Sequence, residues 1–288
     1  MEDEVISSPN YLNDIRHLWP DGTVIPAEDV LSARRWTVLA LHPDFPNLLL
    51  KGPRQDVQEG ADEGWSNKDR LLMHKQEHDD EVAAYQRLAR VKGVVGYHGI
   101  RLGRFIAMDY HPHGSLDHIM YESLYDGERA PSLQVRLKWM IDAVHIVVAC
   151  HEARVLLFDI ALRNFVVTSA DISLRAIDFV DSEILPIDAE IEKVNVRGRT
   201  VQVDLIYLGC VLYSLATWSL YQINVQVKHD LESFPEVKGV PWGPLIQGCW
   251  QDRSVKTSQL AKLCDSRRSR RRFVRRSKSE KHGRGSKQ

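Results

Sequence analysis

The chain has 288 residues, 43% of them hydrophobic and 27% charged. That balance supports a folded core and excludes a chain that is disordered throughout. The net charge of −1 hides an asymmetry: residues 266–288 hold eleven Lys or Arg against one Glu and sum to +10, so the rest carries −11.

The first 35 residues are polar and give no clear element. The N-terminal MEDEVISSPN is acidic and lacks an apolar run, so no secretory signal is expected. Trp36–Leu41 (WTVLAL) and Leu48–Lys51 (LLLK) read as strands, and the proline-bearing HPDFPN between them reads as a turn. Gly52–Lys75 is polar and reads as an exposed insertion. Helical spacing begins at Asp79, with Val82, Tyr85 and Leu88 along one side. Val94–Ile100 and Arg104–Tyr110 are predicted strands.

Ser132 is placed to cap a long helix whose apolar positions are Leu133, Leu137, Met140, Ile141, Val144, Val147 and Val148. Short β-like runs follow at Val155–Leu157, Phe165–Val167 and Leu174–Ile177. After Asp204 the pattern is mostly helical. Leu205–Tyr221 holds no charged residue. It falls short of the roughly 20 residues a membrane span needs, so it reads as a buried core helix, and no transmembrane segment is expected. The low-complexity tail is expected to be disordered. Cys150, Cys210, Cys249 and Cys264 form no C-x-x-C pair and read as small buried hydrophobes, with a reducing, intracellular setting implied. Early strands and late helices predict an α+β architecture, a small β-rich lobe on a larger helical one.

The chemistry-bearing run is Phe158–Asn164 (FDIALRN). Asp159 and Asn164 lie five apart between two apolar runs, and Asp178 follows nineteen residues after Asp159 in AIDFV. Phosphoryl transfer needs one carboxylate to orient a hydroxyl, and a second carboxylate with an amide oxygen to hold Mg²⁺. Taken singly, these are ordinary loop residues; their order carries the signal.

The run resembles the protein-kinase catalytic loop and D-F-G, with D-x-A-x-R-N closer to tyrosine kinases. The stretch DFVDSEILPID resembles small kinase-like proteins common in filamentous fungi. The resemblance covers roughly residues 36–262. It also takes in FIAMDYHPHGSL, Glu81 with Tyr85, DLIYLG from Asp204, and IQGCW from Ile246.

By that resemblance the fold is bilobal and protein-kinase-like. Residues 1–35 form an N-terminal extension or the start of the small lobe. Residues 36–110 form the kinase N-lobe with an insertion at 52–75, 111–264 the C-lobe, and 265–288 a basic tail. It implies that Lys51 contacts the phosphates of ATP and pairs with Glu81, and that Met108 is the gatekeeper. The backbone of Asp109 and His111 would meet adenine. Asp178 and Asn164 would bind Mg²⁺, Asp159 would position the acceptor hydroxyl, and Arg163 would brace the loop or meet the acceptor.

Several departures bear on activity. Val30–Arg35 (VLSARR) stands where kinases carry a glycine-rich loop, and Arg34 and Arg35 are candidates to substitute a charge contact. Leu157-Phe158 replaces His-Arg before Asp159, which argues against switching by loop phosphorylation. Val180 replaces the glycine after Asp178-Phe179, and a β-branched residue lacks its freedom. No A-P-E precedes Asp204, so a peptide-docking shelf is not expected in its usual form.

Two function classes follow: a protein kinase acting on a protein substrate with ATP and Mg²⁺, or a pseudokinase that serves as a nucleotide-binding or scaffold module for a partner. A small-molecule kinase of the same fold family is a third. The tail is the only segment suited to nucleic acid or an anionic surface, and nuclear targeting is its preferred reading beside a cytoplasmic one.

Overall fold

The computed structural model describes residues 17–33, 37–53, 67–225 and 234–251, together with 259, 260 and 262. Arg34 and Arg35, the bulk of the expected insertion and the basic tail lie outside them. The described chain divides into two compact units. The first takes the residues up to Arg90, then Val94–Pro112 and Asp178–Ser182; the second takes Val91–Gly93, His113–Ile177 and the residues from Glu183 on.

The first unit is built on a five-stranded antiparallel sheet. Its elements are β1 (Val30–Ala33), β2 (Thr37–His42), β3 (Phe45–Pro53), helix α1 (Asn67–Leu88), β4 (Tyr97–Arg101) and β5 (Phe105–Asp109). The strand order is β1-β2-β3-β5-β4. Successive side chains point to opposite faces. Val38, Ala40, Leu50, Phe105 and Ala107 therefore pack on one side, closed over by Trp19 and Ile25. Trp19 meets Phe105 edge-on, with ring centroids 5.3 Å apart. Register pairs Lys51 with Ile106 and Leu49 with Met108, which places these four on the other face. Gly52 is needed where it stands, because a Cβ there would come within 2.5 Å of the Phe105 ring.

Three expectations are corrected here. The turn expected over His42–Asn47 shrinks to Pro43 and Asp44, because β3 starts at Phe45. The insertion expected over 52–75 gives up both ends, Gly52 and Pro53 to β3 and the residues from Asn67 to α1. The helix expected from Asp79 thus starts twelve residues earlier, in a stretch whose polar sequence hides helical spacing. Residues 17–33, which gave no clear element, supply β1 and part of the core.

The second unit holds α2 (Leu116–Tyr125), α3 (Leu133–Glu152), β6 (Val155–Leu156), β7 (Phe165–Val167), β8 (Leu174–Ala176), β9 (Glu183–Ile184), α4 (Val201–Thr217) and α5 (Gly243–Gln251). Ser132 caps α3 by accepting the Val135 N–H at 3.4 Å. β6 pairs with β9 and β7 with β8, both antiparallel. α4 is buried along most of its length, as its uncharged run predicts. Its last carbonyls, of Leu215 and Ala216, accept the Arg136 guanidinium at 3.1 Å each, a cation placed where the helix end is negative. α4 begins at Val201, so Asp204 lies inside the helix and is not its cap. Among the described residues, no helix is long and apolar enough to cross a membrane. Cys150, Cys210 and Cys249 are buried and unbridged, and burial pushes the Cys210 thiol up to about 12, which fits a packing role.

Candidate active site

In the first unit, Lys51 follows the apolar run Leu48–Leu50 within β3, and its side chain leaves the sheet on the face opposite the Trp19 core. The ammonium lies 2.8 Å from Glu81 Oε1 on α1 and 2.7 Å from Asp178 Oδ1. Glu81 is only 2% exposed. Its Oε1 also receives the Phe179 N–H at 3.4 Å. One turn later on the same helix, Tyr85 accepts the Asp178 N–H at 3.2 Å. Asp178 itself stands in the left-handed region, with φ 62°.

One cation thus faces two carboxylates. Burial alone would lower the Lys51 pKa, but the charges of Glu81 and Asp178 outweigh it and hold the ammonium above its ordinary range. Burial raises Glu81; Lys51 pulls it back and Asp178 adds to the rise, leaving it above the usual carboxylate value. The buried Tyr85 phenol is pushed well above 10, by desolvation first and by the Glu81 charge second.

Met108 is buried on β5, and its sulfur lies 3.9 Å from the Tyr85 hydroxyl. The N–H of Asp109 goes to the Gly96 carbonyl at 2.9 Å, and that of Tyr110 to the Asn47 carbonyl at 2.8 Å. With its N–H so used, the Asp109 backbone can meet a further partner only by accepting at its carbonyl oxygen. The Asp109 carboxylate lies 2.7 Å from His98 Nε2. His111 follows β5, half-buried.

In the second unit, Asp159 is gripped from both sides. Arg163 Nη2 donates to its two oxygens at 2.6 and 2.7 Å. Asn164 Nδ2 donates to Oδ2 at 2.7 Å and to the Asp159 backbone carbonyl at 2.9 Å. The Asn164 amide nitrogen is thereby committed to Asp159. The backbone before Asp159 is held as firmly. The Asp159 N–H turns back to the Leu157 carbonyl at 2.7 Å, around a Phe158 at φ 56°. Such a turn is sparsely populated and needs support. Asp204 supplies it by accepting the Leu157 N–H at 2.9 Å and the Phe158 N–H at 2.7 Å.

All nine residues singled out in the sequence thus sit in two sets. Lys51, Glu81 and Asp178 meet in the first unit, with Met108, Asp109 and His111 on or just after β5. Asp159, Arg163 and Asn164 meet in the second. The supporting roles of Tyr85, of Asp204 and of His151, whose Nε2 lies 2.6 Å from the Asp204 carboxylate, were not assigned from sequence. One signal for Tyr85 was its i+4 spacing from Glu81. His151 is a histidine among the apolar positions of α3, which a core contact alone would not require.

Among the described residues, no group of three or more His, Cys, Asp or Glu side chains is placed to hold a metal ion. Mg²⁺ asks for less, since it is usually bound by one or two carboxylates with substrate phosphates and waters. Asp178 in the first unit and Asn164 in the second each carry a hard oxygen of the kind Mg²⁺ takes. No protein-family model matches this chain, and no curated protein matches it. The side chains themselves carry the functional reading.

Proposed function

We propose that the two units are the β-rich and helical lobes of a protein-kinase-like fold that binds ATP with Mg²⁺ and transfers the γ-phosphoryl group to a protein hydroxyl. The observation that carries this reading is the Lys51 ammonium held by Glu81 and Asp178, three residues scattered along the sequence in kinase order. Lys51 donates to the phosphates, and Glu81 keeps it charged and aimed. By this reading Asp178 and Asn164 would each offer Mg²⁺ an oxygen ligand, and the ion when bound would neutralise phosphate charge. Asp159 orients the acceptor hydroxyl and takes its proton, while Arg163 and Asn164 fix the carboxylate.

The test is nucleotide binding with and without Mg²⁺, followed by a turnover assay with γ-labelled ATP and generic protein acceptors. Asp159→Asn is expected to lower transfer by about 10²–10⁴-fold, the usual weight of a positioned acid–base group. Asp178→Ala is expected to abolish metal-dependent binding. Absence of transfer with either Mg²⁺ or Mn²⁺ would reject the enzyme.

A second reading is a pseudokinase acting as a nucleotide-binding or scaffold module. It is favoured by the same ammonium: Lys51 is engaged by Asp178 as well as Glu81, and Val180 follows where a glycine would relax the backbone. It predicts thermal stabilisation by nucleotide or a partner without product. The basic segment 266–288 is assigned to nuclear targeting on composition. Deleting it from the fluorescently tagged protein should change where in the cell the protein collects, and an unchanged distribution would count against the assignment.

A further inference from the structure

We propose that Tyr85 is a positioning residue: its hydroxyl latches the Asp178 backbone to α1, so that the helix carrying Glu81 and the metal-binding carboxylate keep one fixed relation. The proposal rests on the phosphotransfer reading for its kinetic consequence, but not for its geometry.

The geometry begins with two consecutive backbone N–H groups. Those of Asp178 and Phe179 are received by Tyr85 Oη at 3.2 Å and by Glu81 Oε1 at 3.4 Å. Both acceptors stand on one face of α1, four residues apart. The segment they hold is one that would not hold itself. Asp178 sits at φ 62°, which is unfavourable for a residue with a Cβ. Strained backbone of this kind persists only where its surroundings over-determine it.

The latch is rigid at its own end. The Tyr85 ring stacks on Tyr97, with centroids 5.6 Å apart and planes 14° apart. The ring of Phe179 meets it edge-on at 5.0 Å. Its proton points to Met108 Sδ at 3.9 Å, which turns an oxygen lone pair toward Asp178. A ring wanted only as filler would not bring a hydroxyl into full burial. Phenylalanine supplies the same packing and lacks only the acceptor.

Tyr85→Phe therefore isolates the latch. Backbone amide exchange at Asp178, read site by site, is expected to speed up by about five- to tenfold, the equivalent of one ordinary hydrogen bond. kcat is expected to fall by a similar factor with the ATP KM unchanged. A merely structural residue would not produce that split, since uniform destabilisation leaves the folded enzyme's kcat as it was. Exchange at Asp178 unchanged by the substitution overturns the latch, whether or not the chain transfers phosphate. Unchanged kcat in an active protein overturns the positioning role. Faster exchange in the variant of an inactive wild type upholds the latch and removes the phosphotransfer reading instead. Should Tyr85→Phe fail to fold, the wild type decides: an Asp178 amide as protected as those of β5 supports the latch, and one exchanging like an exposed loop overturns it.

Discussion

The ring nitrogen Nε2 of His151, on α3, lies 2.6 Å from a carboxylate oxygen of Asp204, on α4, and both side chains are buried. The same carboxylate takes the N–H groups of Leu157 and Phe158. One side chain therefore ties two helices to the backbone that presents Asp159. Asp204→Ala would strand three buried donors at once. Breaking a buried charged group's partnerships typically costs about 3–5 kcal/mol, and a fall in unfolding free energy of that size is expected in urea titration. Asp204→Asn keeps one acceptor oxygen and should fall between. A loss below about 1 kcal/mol for the alanine variant would show that the three donors find other partners.

Lys51 gives a prediction with a definite pH dependence. Folding raises the pKa of both Lys51 and Glu81. The Lys51 contribution is then fully present below its ordinary value near 10.5, and is lost as pH rises through the higher folded value. Stability from Glu81 is fully present below about 4.5 and fades as pH rises through its folded value. Lys51→Met removes the charge that pulls Glu81 down, so the Glu81 pKa climbs further. The variant's deficit should be smallest on the acid side, toward the ordinary carboxylate value of 4.5, where protonation relieves Glu81 of its charge. Its deficit should grow toward pH 8, to about 3–5 kcal/mol for a buried carboxylate without its counter-ion. Unfolding titrations across that range decide it, and a deficit independent of pH would contradict the assigned coupling.

How much of this was legible in the sequence depends on the range of the interaction that forms each feature. β7 falls on Phe165–Val167 as its apolar run predicts, and α3 starts where Ser132 can cap it, because both signals are local. β1 was missed because VLSA is an ordinary tetrapeptide until β2 pairs with it. The first turns of α1 were missed because NKDR opens them with polar residues that show no apolar period. Lys51, Glu81, Asp159 and Asp178 were singled out by their order along the chain and not by propensity. The roles of Tyr85 and Asp204 were not, since each is defined by a backbone N–H more than 40 residues away in sequence.

Phe158, the residue before Asp159, carries a cation over its ring. The Arg199 guanidinium lies over the Phe158 ring, 4.8 Å from its centroid. A tight turn delivers it. Val196 and Arg199 exchange both backbone bonds, at 3.0 and 2.9 Å, around Arg197 and Gly198 at φ 53° and 85°, as in the two-residue hairpins that need positive φ at both centres. Removing the pair should cost about 0.5–2 kcal/mol. Arg199 has a further partner, so a double-mutant cycle of Arg199→Ala with Phe158→Leu is the proper measure. A coupling energy within about 0.3 kcal/mol of zero would mean the two residues are merely adjacent.

Gly209 tests whether packing or helix propensity rules the α4–α5 contact. Glycine in a helix interior is less favourable than alanine by about 0.8–1.0 kcal/mol, so propensity alone makes Gly209→Ala stabilising. A Cβ at 209, however, would stand 2.6 Å from Trp250 Nε1, 2.7 Å from Cδ1 and 3.1 Å from the Cys249 Cβ. The indole has little room to withdraw. Phe234 stacks on it at 4.7 Å, and Tyr213 and Tyr221 close in at 5.6 and 5.8 Å. Overpacking of this kind costs about 1–3 kcal/mol, which exceeds the gain in propensity. Gly209→Ala is therefore expected to lower the urea midpoint and to change the near-ultraviolet signal of the tryptophans. A raised midpoint would mean that the Trp250 ring yields, and that the aromatic rings around it are looser than their spacing implies.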